Sequence, residues 1–350
     1  MPELPEVERV RRSLEALVVG RVVESVRVVR RDVIATARDP AGGFARNRSE
    51  RSTLRGVRPS RVTRHELLAG AVIDRVERRG KRMAIIGADG RALDVHLGMT
   101  GMVCVVPARG VLPDHAHVVW TMGIRHQAPG TRHQSKGDTP HLSPKTVTSS
   151  PPRGEAGEAE RVRMVFRDPR RFGGVWTCSS VQDLLERRWG SLGPDALTVT
   201  AAELGAGLEG SHRGIKAALL DQTVIAGVGN IYADESLFGA GIHPEAIAGS
   251  LDGGAIARLA EEIRAVLGAA VEAGGSTIRD YAGPDGAEGS YQDRHRVYGK
   301  AGQPCPRCRG GVLMGAVVAQ RTTTFCPRCQ GVLPHRVPTA RGHVRRESSG

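Results

Sequence analysis

Two copies of Cys-Pro-Arg-Cys, at 305–308 and 326–329 with 17 residues between them, constrain this 350-residue chain more than any other feature. Two such knuckles on a β-hairpin bring four thiolates to the corners of a tetrahedron, the coordination that Zn²⁺ takes in closed structural sites. The expectation is therefore one structural zinc ion held by Cys305, Cys308, Cys326 and Cys329. The other two cysteines, Cys104 and Cys178, stand alone. The N-terminus has early acidic residues and no apolar h-region. The cysteines are thus expected to bind metal in a reducing cytoplasm and not to form a disulfide framework. Arg307, Arg309, Arg321 and Arg328 lie around the pairs and suit phosphate. That alone does not separate a DNA enzyme from a transcription factor or a ribosomal protein.

Charge points the same way. There are 50 Lys and Arg against 37 Asp and Glu, a net of +13. Such a surplus suits a polyanionic partner. Aromatic residues are only 3%, which argues against a single-strand binder built on stacking platforms. No apolar run is long enough to span a bilayer, so a membrane role is not expected. Only five of the basic residues are lysines, namely Lys81, Lys136, Lys145, Lys216 and Lys300, and each is conspicuous in so arginine-rich a chain.

The pattern along the chain predicts an α+β protein. Residues 5–19 read as an amphipathic helix, with Val7, Val10, Leu14 and Leu17 on one face, Pro5 in the first turn and Gly20 just past the end. Short β-like runs follow from 21 to 122, broken by turn pairs such as Asp89-Gly90, and predict an antiparallel β-sandwich or barrel. Residues 123–160 hold five prolines and no aromatic residue. They read as a disordered insertion between two strands, because β-pattern resumes at RVRMVF. The expected divisions are an N-terminal helix and sandwich at 1–180, helices at 181–294, a zinc ribbon at 295–332 and a disordered basic tail at 333–350.

The chain opens Met1-Pro2-Glu3-Leu4-Pro5-Glu6-Val7-Glu8. Carboxylates in a first helical turn are favoured by the macrodipole whatever their function. A chemical use also exists. Removal of Met1 would leave Pro2 with a free secondary amine, and an α-amine is less basic than a lysine, about 8 against 10.4. More of it is unprotonated and nucleophilic near neutral pH.

Six segments occur in order: PELPEVE, Gly80-Lys81, His96-Leu97-Gly98-Met99-Thr100-Gly101, Asp168-Pro169-Arg170-Arg171-Phe172-Gly173, Gly227-Val228-Gly229-Asn230-Ile231-Tyr232, and the cysteine pairs. With this ordered set the chain resembles the formamidopyrimidine-DNA glycosylase family over nearly everything except 123–160 and the tail. PELPEVE favours this branch over its sister endonuclease VIII branch.

The resemblance implies a bifunctional glycosylase and lyase that excises oxidised purines such as 8-oxoguanine and formamidopyrimidines from double-stranded DNA. The fold it implies is an N-terminal helix and antiparallel β-sandwich, a helix–two-turn–helix domain and a β-hairpin zinc ribbon. Pro2 would attack C1′ of the sugar, Glu3 would donate and shuttle protons, with Glu6 in support, and Lys81 and Arg321 would serve the β- and δ-eliminations. Met99, Arg170 and Phe172 would fill the space that the flipped base leaves. His96, His115, Lys216 and Asn230 would bind DNA, and a Ser276 carbonyl could accept the N7–H peculiar to 8-oxoguanine. The glycines at 227 and 229 are read as letting backbone approach phosphate, and a lesion-covering loop is expected from 274 to about 292. The resemblance further implies a bacterial, nucleoid-associated monomer with no organic cofactor. Two other readings stay open: an endonuclease VIII-like enzyme for oxidised pyrimidines, and a non-catalytic zinc-ribbon DNA-binding protein.

Overall fold

A computed structural model describes residues 2–39, 62–124, 161–276, 289–308 and 310–331. Helix α1 (Leu4–Val18) starts at Glu3, whose backbone N–H donates to the Glu6 carboxylate at 2.8 Å. Pro5 lies in its first turn, and Gly20 follows with φ +81°. Val7, Val10, Leu14 and Val18 pack into the core of the sandwich, while Leu4 packs into the core of the helical part. A single helix thus joins two cores, and each side chain so buried contributes roughly 1.5–3 kcal/mol. Leu17, expected on the buried face, is 45% exposed, and Val18 takes that place.

Among the described residues, nine strands form the sandwich: β1 (Arg21–Val28), β2 (Ile34–Thr36), β3 (Ile73–Arg79), β4 (Arg82–Gly87), β5 (Ala92–His96), β6 (Met102–Pro107), β7 (Ala116–Ile124), β8 (Val162–Arg167) and β9 (Gly174–Cys178). One sheet has the order β1-β7-β8-β6 and the other β2-β9-β5-β4-β3. The pairings are antiparallel as expected, with one exception: β2 runs parallel to β9. The chain reaches β2 from β1, a strand of the other sheet, so no hairpin dictates its direction. Strands β7 and β8 pair antiparallel, with Met122 opposite Val162. The expected insertion therefore connects sheet neighbours. Its first two residues belong to β7, and the rest, 125–160, lies outside the described residues.

Beyond Cys178 the chain is helical. It forms α2 (Val181–Leu184), a π turn (Leu185–Trp189), α3 (Ala201–Leu208), α4 (Ile215–Leu220), α5 (Asn230–Ala240) and α6 (Gly253–Glu272). Thr200 and Asp252 cap α3 and α6 by accepting from the backbone N–H groups of Glu203 and Ala255. Helix α5 is buried on all sides, including Tyr232, Asp234 and Glu235, so it is the axis of this part. The C-terminal hairpin pairs β10 (Met314–Val318) with β11 (Arg321–Phe325) through a two-residue turn, Ala319-Gln320, with φ of +52° and +59°. Residues 277–288 of the expected covering loop and the expected tail fall outside the described residues. Among the described residues, no helix is long and apolar enough to cross a membrane.

Candidate active site

The start of α1, the β3–β4 turn, the start of α5 and the tip of the hairpin converge on a cavity of about 380 Å³. Pro2, Glu3 and Lys81 line it together with Met99, Asn230, Ser276 and Arg321. These residues come from widely separated stretches of sequence.

Glu3 is 3% exposed and accepts a hydrogen bond from the Ile231 backbone N–H at 3.1 Å. Its Oε2 has no partner among the described residues. Burial pushes its carboxyl up to about 7, further raised by Glu6 and opposed by the nearby Lys81 ammonium and the Ile231 N–H. Burial likewise holds Lys81 below the usual lysine range, partly offset by Glu3 and Glu6. A carboxyl that titrates near neutrality can both give and take a proton. The same shift penalises folding. Below about pH 4.5 the group is neutral whether folded or not; as pH rises toward 7 the unfolded chain ionises it first and stability is lost. Glu3→Gln is accordingly expected to raise stability at pH 8 by roughly 1–3 kcal/mol, and the gain should vanish near pH 4.5, as thermal melts at the two pH values would show.

Gly227 and Gly229 have a role in packing α1. A Cβ on Gly227, where φ is +123°, would sit 2.3 Å from Leu4 Cδ1, and one on Gly229 would sit 2.2 Å from the Glu3 carboxyl carbon. These glycines admit the first turn of α1 against the start of α5; they are the mould for Glu3. Gly229→Ala is expected to displace the Glu3 carboxyl and cost on the order of 10²-fold in base-excision rate, with a fold still intact by thermal melt.

Glu6 is the brace behind Glu3. Its Oε2 accepts from the Glu3 N–H, and its Oε1 accepts from Tyr232 Oη at 2.7 Å and from the Ser276 N–H at 2.8 Å. Ser276 Oγ lies 3.3 Å from Tyr232 Oη and 3.0 Å from His295 Nε2.

Lys81 follows Gly80, whose N–H donates to Asp195 at 2.8 Å. Arg78 bonds Asp195 at 2.6 Å, Glu8 at 2.9 Å and the Gly80 carbonyl at 3.0 Å. The lysine turn is thereby tied to α1 and to the segment ahead of α3.

Met99, Arg170 and Phe172 lie on two loops joined by Asp168. This fully buried carboxylate accepts from Thr100 Oγ1 at 2.5 Å, from the Arg170 N–H at 3.2 Å and from the Gly173 N–H at 2.7 Å. Gly98 packs so closely that a Cβ there would be 2.5 Å from the Gly173 nitrogen. Met99 and Phe172 stay 42% and 40% exposed. Exposed apolar tips on braced loops are what a wedge between bases needs. Of the three, only Met99 lines the cavity.

The hairpin is held to α5 by Asp234, which accepts from Lys216 Nζ at 2.6 Å and from the Thr324 N–H at 3.0 Å. Arg321 opens β11 and reaches the cavity. Beyond the hairpin, the Sγ atoms of Cys305, Cys308, Cys326 and Cys329 lie within 4.8 Å of one another, and two of the separations are 3.8 Å. Four sulfurs about 2.3 Å from a central ion at tetrahedral corners are about 3.8 Å apart. The cluster can hold a metal ion.

Comparison with known proteins adds the family. The formamidopyrimidine-DNA glycosylase N-terminal domain matches residues 1–175, and the formamidopyrimidine-DNA glycosylase H2TH domain matches residues 192–282. The formamidopyrimidine-DNA glycosylase of Geobacillus kaustophilus is 36% identical over 332 residues, covering 94% of this chain and 100% of that one. The chain belongs to the formamidopyrimidine-DNA glycosylase family. Among solved structures, a complex between the Lactococcus lactis Fpg and DNA containing an abasic site matches with a TM-score of 0.69 at 30% identity, over 94% of this chain and 100% of that one. The MutM (Fpg) protein from Thermus thermophilus matches with a TM-score of 0.68 at 34% identity, over 95% of this chain and 100% of that one.

The other residues assigned through the family resemblance lie at different depths around the cavity. Lys216 is fully buried beneath the cavity, with its ammonium bonded to Asp234, to the Thr322 carbonyl at 3.1 Å and to Thr323 Oγ1 at 2.7 Å. In this arrangement it braces the hairpin and does not line the cavity. His96 lines a neighbouring cavity, and His115 is exposed at φ +60° ahead of β7. Asn230 donates to the Thr322 carbonyl at 3.0 Å, and its buried Oδ1 has no partner among the described residues. Ser276 contributes its N–H and hydroxyl to the bonds above. The supports Tyr232, Asp168, Asp195 and Asp234 went unassigned in the sequence. An acidic pair inside the apolar run IYADESLF was the one signal for Asp234.

Proposed function

We propose that this protein is a bifunctional DNA glycosylase and abasic-site lyase of base excision repair that removes oxidised purines from duplex DNA. One observation carries the proposal: Pro2, a Glu3 carboxyl raised to about 7 and a Lys81 ammonium of lowered basicity share one cavity. With Met1 removed, the Pro2 nitrogen bonds to C1′ of the flipped nucleotide, and the C1′–N9 bond breaks with its electron pair leaving on the base. The Pro2 nitrogen gives up its proton to the departing base, and Glu3 protonates O4′ as the nitrogen lone pair opens the C1′–O4′ bond to form the iminium. The resulting iminium link acidifies the C2′ proton. Its loss expels the 3′-oxygen as phosphate, and a second elimination expels the 5′-phosphate. Lys81 and Arg321 stand beside this path to steady the departing phosphates. Every group required lies on one chain, so the reading needs neither an organic cofactor nor a second copy.

The four thiols suit Zn²⁺, which would fix the base of the hairpin as a structural ion. Gly311 fits that role, since a Cβ there would lie 2.9 Å from Cys308 Sγ and 3.1 Å from Cys326 Sγ. Gln330 secures the cluster to the helical part. Its side chain accepts from the Cys326 N–H at 2.9 Å and donates to the Ile242 carbonyl at 2.8 Å.

Borohydride reduction on a duplex containing 8-oxoguanine tests the reading. A covalent protein–DNA adduct is expected, with excision of 8-oxoguanine faster than that of thymine glycol. Absence of an adduct would leave a binding protein, and the reverse order of excision would point to the pyrimidine-directed branch.

A further inference from the structure

His295 is buried between Tyr291 and Tyr298, and the chemistry above gives it no task. The two tyrosine rings meet its imidazole edge to face, with centres 5.6 and 5.5 Å away. The backbone that follows is pinned to α5: the buried Glu235 carboxylate accepts from the N–H groups of Arg296, Val297 and Tyr298, each at 2.9 Å. Ahead of it, the Ser290 N–H donates to the Ala273 carbonyl at 3.0 Å and the Tyr291 N–H to the Gly275 carbonyl at 3.1 Å. The imidazole is thus fixed against the segment that ends at Ser276.

The hydrogen bonds that start at this ring can run only one way. Tyr232 Oη donates its single proton to Glu6 Oε1 at 2.7 Å. Burial, reinforced by Glu6, pushes this phenol well above the ordinary tyrosine range, so the proton stays in place. Toward Ser276 Oγ, at 3.3 Å, Tyr232 can then only accept, and the serine hydroxyl spends its one proton there. Ser276 Oγ is left to accept from His295 Nε2 at 3.0 Å, so that nitrogen must carry a hydrogen. Burial holds the imidazole below the usual histidine range, opposed by Glu235 and Asp293 and helped by the Lys300 ammonium; the neutral Nε2–H tautomer is the form that fits. Three donors therefore stand in file toward Glu6, each polarising the next. Glu6 passes the constraint on, since its Oε1 also accepts from the Ser276 N–H and its Oε2 from the N–H of Glu3, the neighbour of Pro2. A Cβ on Gly275, where φ is +82°, would lie 2.7 Å from Glu6 Oε1, so the serine segment is pressed close against this carboxylate.

We propose that His295 is a positioning residue for base excision: its Nε2–H, relayed through the hydroxyls of Ser276 and Tyr232, fixes the Glu6 carboxylate that holds the start of α1 at the cavity. The proposal rests on the glycosylase reading above. It adds a control on Pro2 and Glu3 from a residue outside the lining of the cavity.

Two measurements test it. Nitrogen-15 spectra of the histidine side chains, with the His295 signals identified by their loss in His295→Gln, should show hydrogen on Nε2 at neutral pH. A bare Nε2 would reverse the direction and overturn the relay, with no DNA present. In the second, single-turnover excision of 8-oxoguanine at saturating enzyme should fall about tenfold in His295→Phe, as loss of one buried hydrogen bond brings, with affinity for a duplex carrying an abasic analogue unchanged. His295→Gln can place an amide N–H at the same point and should recover most of the rate. Tyr232→Phe should be at least as slow as His295→Phe, and the double variant no slower than Tyr232→Phe alone. Losses that multiply in the double variant, or full excision by His295→Phe, would overturn the proposal. Should His295→Phe fail to fold by thermal melt, His295→Met supplies the same comparison. A wild type that excises nothing sinks the glycosylase reading, whereas normal excision with multiplied losses sinks only the role of His295.

Discussion

A chain that carries one extra residue ahead of Pro2 is expected to form no borohydride-trapped adduct with DNA, although it still binds the duplex. In that chain the Pro2 nitrogen is an amide, with its lone pair delocalised into the carbonyl and no nucleophilicity left. As a free α-amine it would be unprotonated in about a quarter of molecules at pH 7.5, against roughly one in a thousand for an ordinary lysine. The fall in base excision should be at least on the order of 10²–10⁴-fold, the range that loss of a positioned catalytic group brings. Intact-protein mass identifies the N-terminus of each preparation. Full excision by a chain that retains Met1 would refute the proposed nucleophile, whatever the fate of Glu3 or Lys81.

Metal removal should have the second-largest effect. The cluster of Phe238, Val297, Leu313, Cys305 and Cys326 is small and separate from the two main cores. It has too little apolar surface to hold the ribbon unaided, whereas structural zinc contributes about 10–16 kcal/mol in small zinc domains at neutral pH. Chelation, or Cys308→Ser, is expected to release one zinc ion per chain and free Arg321 from its place at the cavity. Duplex affinity should fall at least about tenfold for each phosphate that the ribbon then ceases to hold. The sandwich and helical cores should still melt cooperatively, because they share no side chain with this cluster. Thiolates bind metal and thiols do not, so acidification should release the ion as well. A metal-free chain with undiminished affinity would show that the cysteines hold nothing that DNA recognition uses.

The cysteine spacing, the helix at the N-terminus and the ordered motifs were legible because each is local. A four-residue knuckle, a 3.6-residue periodicity and a Gly-flanked loop write their geometry into adjacent positions. The chemistry of Glu3 was legible as a residue type but not as a titrating group. Its rise to about 7 comes from burial against α5 and from Glu6, while Lys81, 78 positions away, holds it from rising further. The glycines at 227 and 229 show the limit well. The sequence marks that a side chain is forbidden there, and the structure shows that the space it would need is filled by Leu4 and Glu3. Lys216 shows it again: a lysine on a helix face reads the same whether it faces outward or, as here, bonds an aspartate and two threonines in the interior.

By itself, then, the order of residues determined the family, the class of fold, the metal-ligand set and the stretches from which an active site is drawn, since all of these are carried by short-range patterns. Only the tertiary structure decided which of those stretches meet, which charged groups lose their water, and that Asp168, Asp195 and Asp234 are the fasteners of the site. Desolvation and long-range hydrogen bonding depend on neighbours that folding brings from far along the chain, and no local window of sequence contains them.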